Sequence, residues 1–255
     1  MKDFTLRAYQ EYVRALQGSY REILRLYEYF LANPKPNHFC IVRHDVDRKP
    51  DRALRMAQLE NLLGLKATYF FRAKSHTFIP ATMRAIYELG HEIGYHYESL
   101  SDARGNRELA KKDFEKNLTA MRKIVPIRTA AMHGRPFSKF NNLNLWQDPD
   151  DSSHLNKTFG LLGEVYLDID YSDVAYISDT GRNWSSNKSN RRDKVQSDVK
   201  KDFKNGKQLL QYFKNSPHPK LIFAVHPERW TDAKPAYYLR CLFDICANIA
   251  KDLIR

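Results

Sequence analysis

Four short apolar runs in this chain stop abruptly at side chains able to carry acid–base or metal chemistry. Phe39-Cys40-Ile41-Val42 runs into Arg43-His44-Asp45-Val46-Asp47, and Glu92-Ile93-Gly94 runs into Tyr95-His96. Residues 129–132 lead into His133-Gly134, and residues 221–225 into His226-Pro227. Carboxylates and imidazoles gathered in one place repel one another or desolvate badly unless something binds them. A divalent metal resolves that conflict, because carboxylate oxygen and neutral imidazole nitrogen are its ordinary ligands. Water on such a metal loses its proton near neutral pH and becomes a hydrolytic nucleophile. Each residue also has a plainer reading. A lone strand-end His such as His44 is more often structural, and Asp47 stands where it can cap the next helix. His91 reads as packing, and His38, His76, His154 and His218 read as loop residues without convergent partners. The weight lies in the combination across four strands.

Something must bring those strand ends together. Residues 6–32 carry apolar side chains at helical spacing, predicting one long amphipathic helix stopped by Asn33-Pro34-Lys35-Pro36. Pro50 opens a helix over 50–63, at the first-turn position that proline favours. Further strands are expected at 67–71, 92–94, 129–132, 165–168, 174–177 and 221–225. Helices are expected at 80–89, 107–124, 208–214 and from Lys234 onward, with a loop at 147–151. Strands alternating with helices over short connections imply a parallel sheet, either barrel or doubly wound, in one domain. In both, the carboxyl ends of the strands share one face, and ligands bind there.

Composition narrows the class. The chain has 255 residues, a hydrophobic share of 42% and a charged share of 28%, as an ordinary folded protein has. No apolar stretch approaches the ~20 residues of a membrane span, and the first residues lack the apolar core of a secretory signal. Three cysteines make no disulfide framework and fit a reducing compartment, so a cytoplasmic location is expected. The net charge is +12, and residues 182–207, with nine Lys/Arg against three Asp/Glu, supply half of it. That segment reads as a solvated basic loop or as one that holds an anionic substrate, such as a sugar nucleotide or a lipid-linked pyrophosphate. No nucleic-acid-binding signature accompanies it, so nucleic acid is not an expected partner.

The motifs resemble a known family. Arg43-His44-Asp45-Val46-Asp47 and Gly90-His91-Glu92-Ile93-Gly94-Tyr95-His96 look like the first two motifs of the polysaccharide deacetylases of the NodB-homology superfamily, carbohydrate esterase family 4. Met132-His133-Gly134-Arg135-Pro136, Asp179-Thr180-Gly181-Arg182-Asn183-Trp184 and His226-Pro227-Glu228-Arg229-Trp230 resemble its later motifs, in order. The likeness is nearest to a subgroup associated with surface-polysaccharide gene clusters, sometimes called WbmS-like. It implies a distorted (β/α) barrel of parallel strands over 39–230, with an added N-terminal helix in 1–36 and a C-terminal helix in 232–255. It implies hydrolysis of an N-acetyl group on an amino-sugar, free or linked to a nucleotide or lipid, in surface-glycan (O-antigen-type) biosynthesis. Carried over by motif, Asp45 is the general base, Asp47 and His96 are ligands of a divalent metal, zinc being the first choice, and His226 protonates the leaving amine. The family's second motif continues to another metal-binding His, where this chain has Leu100. His133 is the first candidate to replace it and Glu98 the second. Glu98, Arg135, Asp179, Arg182, Trp184, Arg192 and Trp230 are the expected substrate contacts, with Trp184 stacking on a sugar ring and Arg182, Arg191 or Arg192 meeting an anionic group. Two alternatives stand beside this reading: another carbon–nitrogen hydrolase on the same fold, and a metal-free glycan-binding protein.

Overall fold

The run Phe39–Val46 forms strand β2, buried along its whole length on both faces. A strand with no solvent side belongs inside a layered α/β fold, and its neighbours follow that rule. The computed structural model describes residues 2–146, 158–184 and 195–253. The remaining strands are β1 (Ile23–Leu24), β3 (Thr68–Phe71), β4 (Glu92–Tyr97), β5 (Thr129–Met132), β6 (Gly163–Glu164), β7 (Ala175–Ser178) and β8 (Lys220–Val225). They make one sheet in the order β6-β5-β4-β3-β2-β8-β7, with β1 added to β2. Every pairing is parallel.

One hydrogen bond demonstrates that this sheet curls. Arg43 on β2 donates from Nη2 to the Tyr166 hydroxyl, just beyond β6, at 2.8 Å. Four strand spacings separate β2 from β6, roughly 19 Å in a flat sheet. Only a sheet rolled towards a barrel lets them touch. Among the described residues the roll stays open, with β6 and β7 as its edges. Its interior holds Phe39, Ile41, Phe70, Ala131, Val165 and Ile222, with Leu26 and Tyr29 among the same buried cluster. Gly94 faces that interior: a Cβ there would lie 2.3 Å from Cε1 of the Phe70 ring, so only glycine leaves room for it.

Around the sheet lie α1 (Leu6–Ser19), α2 (Leu26–Leu31), α3 (Pro50–Leu62), α4 (Pro80–Glu88), α5 (Ser99–Asp102), α6 (Arg107–Arg122), α7 (Gly206–Asn215) and α8 (Lys234–Leu253). The single helix expected over 6–32 is in fact helix, strand, helix. At Tyr20 the backbone turns extended, φ −118° and ψ 128°, so that 23–24 can pair with β2. Both helical halves keep the 3.6-residue apolar spacing, and that periodicity alone conceals the break. The strand expected at 165–168 is displaced to Gly163–Glu164, because the carboxylate of Glu164 accepts from the backbone N–H of Tyr166 and Leu167 and curls the chain into a turn. The loop expected at 147–151 and His154 lie outside the described residues. No described helix is long and apolar enough to cross a membrane.

Candidate active site

Side chains alternate along a strand, and β2 uses the alternation to separate two buried polar groups. Arg43 and Asp45 point into the barrel. His44 points outward, where its Nε2 meets Glu60 at 2.7 Å beneath α3. Tyr9 and Tyr69 also donate to Glu60. His91 belongs on that side too: its Nδ1 accepts from Ala67 N at 3.1 Å and its Nε2 donates to Ala57 O at 3.0 Å. His44 and His91 are therefore structural.

At the carboxyl ends of the strands, Asp47, His96, His133 and His226 converge. His96 Nε2 lies 3.4 Å from Asp47 Oδ1, and His133 Nε2 lies 3.5 Å from the same atom. His226 Nε2 stands 4.0 Å from Asp47 Oδ2, and Asp45 Oδ2 lies 3.8 Å from His96 Nε2. Each imidazole is held from behind. His96 Nδ1 donates to Ala131 O at 2.9 Å, His133 Nδ1 to Glu98 at 3.1 Å, and His226 Nδ1 to Asp179 at 2.6 Å. Fixing Nδ1 as the donor leaves Nε2 as the nitrogen presented to Asp47, which is how metal-binding histidines are usually oriented.

Asp47 Oδ1 is buried and has no partner within strict hydrogen-bond geometry; its nearest neighbours are the Nε2 atoms of His96 and His133, which stabilise its charge. Its distances to the two imidazole nitrogens match the roughly 3.4 Å between neighbouring ligands of a tetrahedral ion with bonds near 2.0–2.1 Å. The donor set of Asp47, His96 and His133 suits a divalent metal in atom type. Among the described residues, however, no group of three or more His, Cys, Asp or Glu side chains is arranged to hold a metal ion. The fit lies in the atoms that converge and in their backing bonds.

The charges follow from these contacts. Burial works against ionising Asp45, yet Arg43, aided by His96 and His226, holds its carboxyl below the ordinary value. The Arg43 grip is bidentate, 2.8 Å from Nε to Oδ1 and 2.7 Å from Nη2 to Oδ2. Asp47 is part-buried, and although desolvation opposes its charge too, His133 and His96 carry it well below the ordinary carboxylate range. Burial would keep His133 neutral, but Asp47 and Glu98 on either side raise it to about 9. Burial and Arg229 both oppose a charge on His226, and Asp179 with Asp47 outweighs them and raises it.

Several residues expected to touch substrate do other work. Trp184 is 4% exposed and stacks on Phe4, ring centroids 5.2 Å apart. It is core, because the aromatic cluster under α1 encloses it. Trp230 is 1% exposed, and its indole N–H donates to Asp179 at 2.8 Å. Asp179 is fully buried among His226, Arg229 and Trp230, so it orients the imidazole and meets no ligand. Arg182 is turned towards Phe4, Tyr237 and the Arg229 carbonyl, away from the strand ends. Glu98 accepts from Arg72 at 2.9 and 2.6 Å and from His133, which places it behind the imidazole and not beside it as a rival ligand. Leu100, on α5, packs with Ala110 and Leu145. Arg135 stands at the rim and donates to Asp102. Arg191 and Arg192 lie outside the described residues. Arg43 and Arg72 are the contributors that motif reading overlooked. The signal for Arg43 was present: two residues before Asp45 on a strand is the same face.

No protein-family model matches the chain, and no curated protein matches it. Among solved structures it is similar to the Xyl-CE4 domain of a multidomain xylanase from the hindgut metagenome of Trinervitermes trinervoides, at 13% identity and a TM-score of 0.41, over 84% of both chains. It is similar also to a CE4 family pseudoenzyme from Bacillus anthracis, at 14% identity and a TM-score of 0.41, over 81% of this chain and 60% of that one. A mutant of a CE4 family pseudoenzyme with restored enzymatic activity gives 14% identity and a TM-score of 0.41, over 84% and 63% of the two chains. The chain thus spans less than two thirds of those pseudoenzyme chains.

Proposed function

We propose that this chain is a metal-dependent hydrolase of the carbohydrate esterase 4 type that removes an N-acetyl group from an amino-sugar during surface-polysaccharide synthesis. The observation that carries the proposal is the buried Asp47 Oδ1, without a hydrogen bond, facing two imidazoles whose Nδ1 atoms are tied from behind. Asp47, His96 and His133 would hold the metal, with zinc the first choice for an N/O set. A metal bound there would supply a Lewis acid for the acyl oxygen and a more acidic water.

The chain's own residues divide the proton work. Asp45, kept ionised by Arg43, accepts the proton of the attacking water. His226, oriented by Asp179, delivers a proton to the departing amine, which leaves poorly as an anion. Arg135 at the rim is the described residue best placed to meet the sugar. The test is acetate release from N-acetylated amino-sugars, free and nucleotide-linked, by zinc-loaded protein. Turnover that vanishes in Asp45→Asn while zinc stays bound supports the assignment. Absence of both zinc and acetate release from the native chain overturns it.

One observation favours a second reading, a metal-free glycan-binding protein. His133 at about 9 is an imidazolium at neutral pH, and as such it satisfies Asp47 and Glu98 without any metal. Metal content after purification without chelators separates the two.

A further inference from the structure

Helix α8 is packed against the body by its polar side. Asn248 donates to Gly181 O at 2.8 Å, Arg240 donates to Asp244 at 2.8 Å, and Asp244 is buried near Arg182 and Arg229. The apolar side faces outward. Tyr238, Leu239, Leu242, Phe243, Ile245 and Ile249 are each between 46% and 68% exposed. An amphipathic helix on a lone domain turns its apolar stripe inward, so this one is inverted. Four of the six residues, 238, 242, 245 and 249, follow steps of four, three and four, the spacing of a helix–helix seam.

We infer that α8 is a self-association surface, on which α8 of a second copy of this chain packs across a two-fold axis. Area supports that occupant. With whole-residue areas of roughly 150–250 Å², the exposed parts of the six side chains come to about 650 Å² per protomer. Two such faces bury about 1,300 Å², within the 1,200–2,000 Å² of specific protein interfaces. Charge supports it as well. Between 241 and 250 the only ionisable carboxylate or cation is Asp244, which points inward, so the stripe has the charge-depleted centre of an interface. Lys2 and Arg48 lie over the Tyr238 and Phe243 rings at its edge, so an anionic membrane is the competing occupant, which the vesicle arm of the test separates. Arg240, the cation within the stripe, is occupied by Asp244 and Glu228. An isologous helix pair also closes on itself, leaving no apolar surface for a third copy.

The test is sedimentation velocity on the full chain at 10–100 µM, beside the double variant Leu242→Glu/Ile245→Glu and the single variant Tyr238→Glu. The native chain is expected at twice its 30.0 kDa mass, and the double variant at the monomer mass with an unchanged far-UV spectrum and melting temperature. Tyr238→Glu, at the end of the stripe, weakens the dimer about tenfold or more and covers the case in which the double variant misfolds. The native dimer persists or tightens at 0.5 M salt, because the centre of the seam carries no exposed charge and the net +12 of each copy is screened. A native monomer at 100 µM overturns the inference, whether or not it floats with anionic phosphatidylglycerol vesicles. So does a folded double variant that remains dimeric.

Discussion

Asp179→Asn perturbs the site without touching the groups that face it. In the fold Asp179 accepts from His226 Nδ1 at 2.6 Å, Arg229 Nη1 at 2.9 Å and Trp230 Nε1 at 2.8 Å. Burial opposes its charge, but Arg229 and His226 prevail and bring its pKa from 3.8 to about 2. At about 1.4 kcal/mol per pH unit, that difference is worth about 2 kcal/mol of stability. Its sign is that of a depressed carboxylate: the contribution is complete above the unfolded value near 4 and is lost as pH falls towards 2. The substitution also leaves the Arg229 guanidinium buried with its main partner gone, and breaking a buried ion pair costs ~3–5 kcal/mol. For a chain of this size each kcal/mol moves Tm by ~2–4 °C, so a drop of about 6–20 °C is expected at pH 7. Melts followed by circular dichroism from pH 7 to pH 2.5 should show the native–variant gap narrowing below pH 4. Asparagine also ceases to fix the His226 tautomer, and kcat should fall ~10²–10⁴-fold. A variant that melts within 1 °C of native, or a gap that stays constant to pH 2.5, refutes the account of Asp179 as the charged anchor of His226.

Asp47→Ala, His96→Ala and His133→Ala should each reduce bound zinc, measured by mass spectrometry after dialysis, far more than Glu98→Gln, whose carboxylate lies behind His133. Equal losses in all four would remove the distinction between ligand and backing residue. Asp45→Asn should keep zinc and lose turnover ~10²–10⁴-fold; near-native kcat would dismiss it as the base. Gly94→Ala drives a methyl to within 2.3 Å of the Phe70 ring, an overpacking expected to cost ~1–3 kcal/mol in a urea melt. An unchanged midpoint would mean that the barrel interior yields freely at that point.

β2, β3, β4, β5, β7 and β8 were legible because each is a short apolar run with a polar stop, whereas β1 lies inside a helical apolar pattern and β6 precedes the run at 165–168. The convergence of Asp47, His96, His133 and His226 was legible for the same reason: residues just beyond parallel strands share a face. Trp184 and Trp230 were not. A tryptophan after a loop has the same local sequence whether it stacks on a sugar or on Phe4, and only the placement of α1 decides. Asp179 was found as a motif residue, yet its partners Arg229 and Trp230 lie 50 and 51 residues away, so its anchoring role is a tertiary fact. The break at Tyr20 was hidden because the apolar spacing continues through it into α2.

Beyond its contacts with Glu60 and Leu63 on the α3 side, segment 2–20 has many of its partners after residue 183. Asp3 accepts from Gly206 N at 2.7 Å, Thr231 N donates to Phe4 O at 3.1 Å, and Ser19 Oγ donates to Phe213 O at 2.6 Å. Tyr12 packs against Trp184, Phe213 and Trp230. At ~5–20 residues per second of synthesis, α1 leaves the ribosome about 10–40 s before the surface it docks on exists. During that interval Tyr12 lacks the aromatic surface that buries it. Made well before that surface, α1 packs beside Trp230, the residue that holds Asp179. Anchoring of His226 is therefore coupled to synthesis past residue 230: a polypeptide stalled before residue 225 has neither the histidine nor the Trp230 against which α1 packs.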